Sequence, residues 1–163
     1  MSLCVCGIIH AGIRDVEFEV ELAFRFEKKA NELGIGTKMG GNISRYVYDK
    51  YSNEHGKVSI IFELIDSPLD NQAEDLFGED IFEEDGYVKN PSLQKRMDRV
   101  QKLFEYLLDY PRVTQIDLEI NYLFEEGEEY KYIRVSEFCD KVAEIYNKSA
   151  FLIPVTKFKI VRY

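Results

Sequence analysis

The sequence predicts an α+β fold: a single domain in which a mainly antiparallel sheet of about six strands packs with three to four helices. At 163 residues the chain is long enough for one independent core and short for two. Hydrophobic residues make up 45% and charged residues 31%, the balance of a globular chain rather than a disordered or membrane-spanning one. Stretches of period-two alternation, several of them in pairs, are interleaved with stretches of helical period in the order β-α-ββ-α-α-ββ-α-β.

Residues 3–9 are apolar, β-branched and weakly alternating, and predict a short strand. Residues 15–33 satisfy two periods. Val16, Phe18, Val20, Leu22, Phe24 and Phe26 alternate as a strand would, while Val16, Val20, Ala23, Phe26, Ala30 and Leu33 share one broad helical face. Asp15 as N-cap, Gly34 as terminator and the helix-forming run 27–33 decide for one long helix, with that face turned inward. The glycines at 34, 36, 40 and 41 read as a connector. Residues 43–51 and 57–65 read as a hairpin turning through Ser52-Asn53-Glu54-His55-Gly56.

Ser67-Pro68-Leu69-Asp70 is a helix start, with Ser at the N-cap and Pro at the first helical position. Asn90-Pro91 opens a helix over 91–109, where Leu93, Met97, Val100, Phe104 and Leu107 form one apolar stripe and Pro111 marks the stop. Residues 113–124 alternate as a strand, and 130–135 is expected to return beside them after the turn at 125–129. Ser136 is expected to cap a helix over 137–148, with Phe138, Val142 and Ile145 facing inward. A last strand covers 151–162, and Pro154 predicts that it begins at a sheet edge.

The charge balance narrows the function. Lys plus Arg number 21 against 30 Asp plus Glu, a net −9, the wrong sign for a general nucleic-acid or anionic-membrane binder. No apolar run reaches the roughly 20 residues of a membrane span, and the N-terminus lacks the basic region of a secretory signal. The expected location is the cytoplasm. The three cysteines, Cys4, Cys6 and Cys139, are too few for a disulfide framework and read as reduced and mostly buried.

The most distinctive segment runs from Val58 to Val88 and contains no Lys or Arg. Its part at 66–88 is read as an acidic surface segment, in which Asp66, Asp70, Glu74, Asp75, Glu79, Asp80, Glu83, Glu84 and Asp85 are interleaved with Phe77, Phe82 and Tyr87. Carboxylates steer a basic protein, and apolar anchors supply the affinity that charge alone does not. These twelve residues are the candidate partner-binding set. The same segment also reads as a solvated loop whose Leu and Phe enter the chain's own core. A basic strip of Lys95, Arg96, Arg99 and Lys102, expected opposite the apolar stripe of its helix, is its internal counter-charge.

Other chemistries find weaker footing. Asp117 and Glu119 lie two apart on a strand and emerge on one face, as paired carboxylates holding a divalent metal would, although an exposed polar strand face gives the same pattern. The acids at 80–86 do not follow a calcium-loop order. Cys4, Cys6 and His10 need both Cys139 and His55 to complete a zinc set, and Cys139 has no evident base as a nucleophile. Gly34 to Gly41 lacks the Gly-Lys-Ser/Thr step into a helix that a phosphate loop requires. Tyr46, Tyr48 and Tyr51 are interface-type residues, but a chain with 11 tyrosines places many in ordinary packing.

No catalytic residue, metal or cofactor is therefore expected. The leading expectation is an acidic protein-binding module, monomeric or homodimeric, of the inhibitor or immunity type, which occludes a basic partner such as a toxin nuclease. A divalent-metal enzyme using Asp117 and Glu119 is one alternative. An assembly subunit joining copies through a sheet edge, with 154–162 as the candidate strand, is another.

Overall fold

The structure, a computed structural model, describes residues 3–12, 15–39, 43, 47–49, 60–65, 81–83, 86–88, 93–122, 129–148 and 155–163. It is the expected α+β arrangement: a six-stranded, mostly antiparallel sheet with helices, and a separate two-stranded ribbon. In chain order the main elements are β1 (Leu3–His10), α1 (Val16–Glu32), β2 (Gly36–Met39), β3 (Ile60–Ile65), α2 (Leu93–Leu108), β6 (Gln115–Tyr122), β7 (Lys131–Arg134), α3 (Phe138–Lys148) and β8 (Thr156–Val161). Between β3 and α2, β4 (Ile81–Glu83) and β5 (Gly86–Val88) form the ribbon. The main sheet runs β2-β3-β1-β6-β8-β7, with every pairing antiparallel except β7 with β8.

The two helical crossovers explain the strand directions. Parallel neighbours need a long connection, and α3 supplies it between β7 and β8. In the same way α1 carries the chain from β1 to β2, which runs parallel to β1 because both are antiparallel to the intervening β3.

The helices cover one face of the sheet. There Val5, Ile9, Phe62, Leu64, Ile116, Leu118, Ile120, Ile133, Phe158 and Ile160 meet Leu22, Phe26 and Ala30 of α1, Val100, Phe104 and Leu107 of α2, and Phe138 and Val142 of α3. A chain of aromatic rings crosses this core: Phe26 to Phe62 at 5.3 Å, Phe62 to Phe104 at 6.4 Å, Phe104 to Phe138 at 5.4 Å and Phe138 to Phe158 at 6.3 Å between centroids. Their tilted and edge-on geometries are those that aromatic quadrupoles favour.

The helix over 15–33 forms as expected. Asp15 accepts a hydrogen bond from the Phe18 backbone N–H at 3.2 Å, and Gly34 follows the helix with φ +73°. Of the face expected to turn inward, Phe26 and Ala30 are buried and Ala23 and Leu33 pack against the core, but Val16 and Val20 do not join them. Leu22, Phe26 and Ala30 are buried, whereas Val16 and Val20 are exposed together with Phe24. At about 100° per residue the Leu22–Phe26–Ala30 and Val16–Val20–Phe24 rows lie roughly 120° apart around α1, too far for one core to cover both.

Five further expectations are corrected. The supposed connector contains strand β2, whose Met39 packs on the core. The hairpin of 43–51 with 57–65 does not form: 47–49 is helical, and β3 pairs with β2 and β1 instead. β3 carries Ile60, Phe62 and Leu64 on the core face and lies between β2 and β1. β7 does not return beside β6; β8 takes that place. The strand at 156–161 is therefore interior, not an edge, and β2 and β7 form the edges. Finally, Ser136 lies inside a 3₁₀ turn, Val135–Glu137, rather than capping α3.

Within α2 the apolar stripe is buried as expected at Met97, Val100, Phe104 and Leu107, but Arg96 is buried with them. Arg96 stands four residues before Val100 and seven before Leu103, so it shares their face rather than the opposite one. Cys6 and Cys139 are not in disulfides and are buried. Among the described residues no helix is long and apolar enough to cross a membrane. The helix expected after Ser67 lies outside the described residues.

Candidate functional site

The face of the sheet opposite the main helices carries the chain's polar chemistry, and strand register builds it. In β6 alternate residues Gln115, Asp117 and Glu119 point away from the core that Ile116, Leu118 and Ile120 enter. On β1 the residues beside them are His10, Ile8 and Cys6, respectively. On β8, Lys159 stands beside Asp117 and Lys157 beside Glu119. One row across the sheet thus reads Lys38, Glu63, Cys6, Glu119, Lys157, and the next reads Ile61, Ile8, Asp117, Lys159, Tyr132.

These carboxylates are not the exposed strand face that alternation also allowed. Asp117 is 2% exposed and Glu119 is fully buried, with Glu63 buried on the next acidic strand. A buried carboxylate persists only with compensating charge and hydrogen bonds. Asp117 has the hydrogen bonds: His10 Nε2 lies 2.9 Å from its Oδ2, and Gln115 Nε2 donates to its Oδ1 at 2.6 Å. The lysines of β8 add positive charge in register. They also lie against tyrosines at the β7 end of the face, Lys157 Nζ at 5.4 Å from the Tyr130 ring and Lys159 Nζ at 5.4 Å from the Tyr132 ring. Toward β3 a small apolar group of Cys6, Ile8 and Val47, with Ile43 and Ile61 against it, covers the sheet.

Chemically, the arrangement orients the His10 imidazole through Asp117 and holds acids and bases in alternating columns. Asp117 already accepts from two side chains, and among the described residues no group of three His, Cys, Asp or Glu could hold a metal ion. Neither His10 nor Glu63 was singled out beside Asp117 and Glu119 from sequence. The signal that would have found the basic column is the alternation of Lys157 and Lys159 in β8, with the same period two as the acids of β6.

The cysteines are separated by the sheet. Cys6 belongs to the apolar group on the polar side, while Cys139 joins the helix-covered core. The Cys139 thiol donates to Asp98 Oδ1 at 3.3 Å, and burial, reinforced by Asp98, pushes its pKa up to about 12. It is a structural thiol, not an activated nucleophile.

Of the expected partner-binding set, Asp66, Asp70, Glu74, Asp75, Phe77, Glu79, Asp80, Glu84 and Asp85 lie outside the described residues. Phe82, Glu83 and Tyr87 fall in the β4–β5 ribbon, where Phe82 pairs with Tyr87 and Glu83 with Gly86 in backbone register. A second acid-and-apolar surface, not anticipated as one, lies on α1: Val16, Val20 and Phe24 are 59%, 65% and 66% exposed among glutamates.

No protein-family model matches the chain, and neither a curated protein nor a solved structure matches it.

Proposed function

We propose that the chain is an acidic protein-binding module that occludes the basic surface of a partner protein, as an inhibitor or immunity protein occludes a toxin nuclease. The observation that carries this reading is the β4–β5 ribbon, a two-stranded unit apart from the six-stranded sheet. It sits within the stretch from Val58 to Val88 that holds acids and no Lys or Arg. A two-stranded ribbon has little stability of its own, so a partner that packs against it supplies contacts that offset the entropy of ordering it. The partner acts in the cytoplasm, where cysteines outside disulfides, such as Cys6 and Cys139, remain reduced. The metal-enzyme alternative has less support, because Asp117 and Glu119 are buried and Asp117 is occupied by His10 and Gln115.

The test is capture of partners from the source cells on tagged protein at low and high salt, followed by mass spectrometry. The expected result is one basic protein, lost as salt rises and lost on Glu79→Lys with Glu83→Lys. Capture of only further copies of this chain, indifferent to salt, overturns the reading.

A further inference from the structure

From the outer face of α1 we infer that a basic amphipathic helix of the partner docks along Val16, Val20 and Phe24. The inference rests on the protein-binding reading and gives it a second contact surface, away from the acidic segment. The three side chains follow one another at four-residue steps, so they form a continuous stripe along the helix. They are the most exposed apolar residues of α1, on a row roughly 120° around the helix from Leu22, Phe26 and Ala30, which enter the core. A stripe of two valines and a phenylalanine is a row of knobs of the kind a second helix accepts between its own side chains.

Charge identifies the occupant. From Val16 to Phe24 the helix carries Glu17, Glu19 and Glu21 and no basic residue. The first base, Arg25, is engaged by Glu21 at 3.0 Å; Lys28 comes one turn after Phe24, beyond the stripe, and Lys29 lies 3.8 Å from Glu32. A second copy of the chain laying its own stripe here brings an identical carboxylate rim against this one, whichever way the helices run. A helix whose apolar stripe is bordered by Lys or Arg meets the glutamates with opposite charge along the same length.

The probe is a dansyl-labelled synthetic amphipathic peptide with Leu on one helical face and Lys on the other, titrated with the full chain and read by fluorescence anisotropy. The expected result is binding that weakens with salt and falls at least roughly tenfold for Val20→Gln with Phe24→Gln, since burial of each large apolar side chain exceeds that factor. Both substitutions are at exposed helix positions, and an unchanged melting temperature is expected to show that the variant folds. The same peptide with Glu in place of Lys is expected not to bind. Equal binding by the variant, or by the acidic peptide, overturns the inference. So does a dimer in sedimentation velocity that the double variant dissolves, which assigns the face to a second copy. Lysate capture that depends on Glu79 and Glu83 while the peptide ignores Val20 and Phe24 upholds the proposed function and removes this surface from it. Peptide binding through Val20 and Phe24 without any basic partner in the lysate does the reverse.

Discussion

Gly7→Ala is the sharpest test of the strand order. β1 lies in the middle of the sheet, and Gly7 stands opposite Phe62 on β3 and Leu118 on β6. A methyl group placed on Gly7 overlaps the carbonyl oxygen of Asp117 outright and comes within 2.8 Å of Phe62 Cζ. Ordinary carbon contacts begin near ~3.5 Å, so Phe62 would have to retreat by roughly 0.7 Å. Its ring cannot easily do so, lying between Phe26 at 5.3 Å and Phe104 at 6.4 Å. The Asp117 carbonyl belongs to the backbone of an interior strand. Overpacking costs about 1–3 kcal/mol where side chains absorb it, and backbone displacement puts this site at or above the top of that range. About 3 kcal/mol is a large share of the roughly 5–15 kcal/mol that holds a domain together. Urea unfolding followed by far-UV circular dichroism measures it, with Gly12→Ala as reference. Gly12 has φ +76° and open space around it, so alanine there meets only left-handed backbone strain, about 1–2 kcal/mol. A Gly7→Ala protein as stable as wild type, or more stable than Gly12→Ala, would refute the packing of β1 between β3 and β6.

Phe104 is fully buried between the rings of Phe62 and Phe138, so Phe104→Ala should cost about 3–5 kcal/mol in the same assay. Asp117→Ala removes a buried carboxylate that serves both His10 and Gln115 and should cost about 1.5–3 kcal/mol, more than His10→Ala, whose side chain is partly exposed. Cys139 should resist alkylation in the native state and react only on unfolding. Because its folded pKa, about 12, exceeds the ordinary 9.0, its contribution to stability is complete below pH 9 and is lost as pH rises from 9 toward 12. Cys139→Ala should flatten that alkaline loss, which pH-dependent melting would detect. Asp15 is the opposite case. Its hydrogen bond with Arg112 and the α1 cap hold its pKa below 3.8, so its contribution is present above that pH and fades as pH falls through the lowered value.

Much of the architecture was legible in the sequence because it follows from local periodicity. The i, i+3, i+4 spacing of Met97, Val100, Phe104 and Leu107 fixes a buried helix face without reference to the rest of the chain. Asp15 and Gly34 mark the ends of α1 through hydrogen bonds and backbone conformations within a few residues. The same-face placement of Asp117 and Glu119 follows from the two-residue repeat of any strand. Pairing partners are another matter, since alternation fixes a strand's two faces and not its neighbours. At β6 the buried Asp117 and Glu119 lie in register with Lys159 and Lys157 of β8, strands that are distant in sequence. Which apolar row of α1 faces inward, and hence that Val16, Val20 and Phe24 remain outside, likewise depends on what the sheet presents to it. The sequence alone determined the apolar stripe of α2, the two ends of α1 and the acidic balance, because those are set by residue types and by neighbours a few residues apart. Only the tertiary structure decided strand order, the burial of the carboxylates and their pairing with His10, because each depends on side chains brought together from distant parts of the chain.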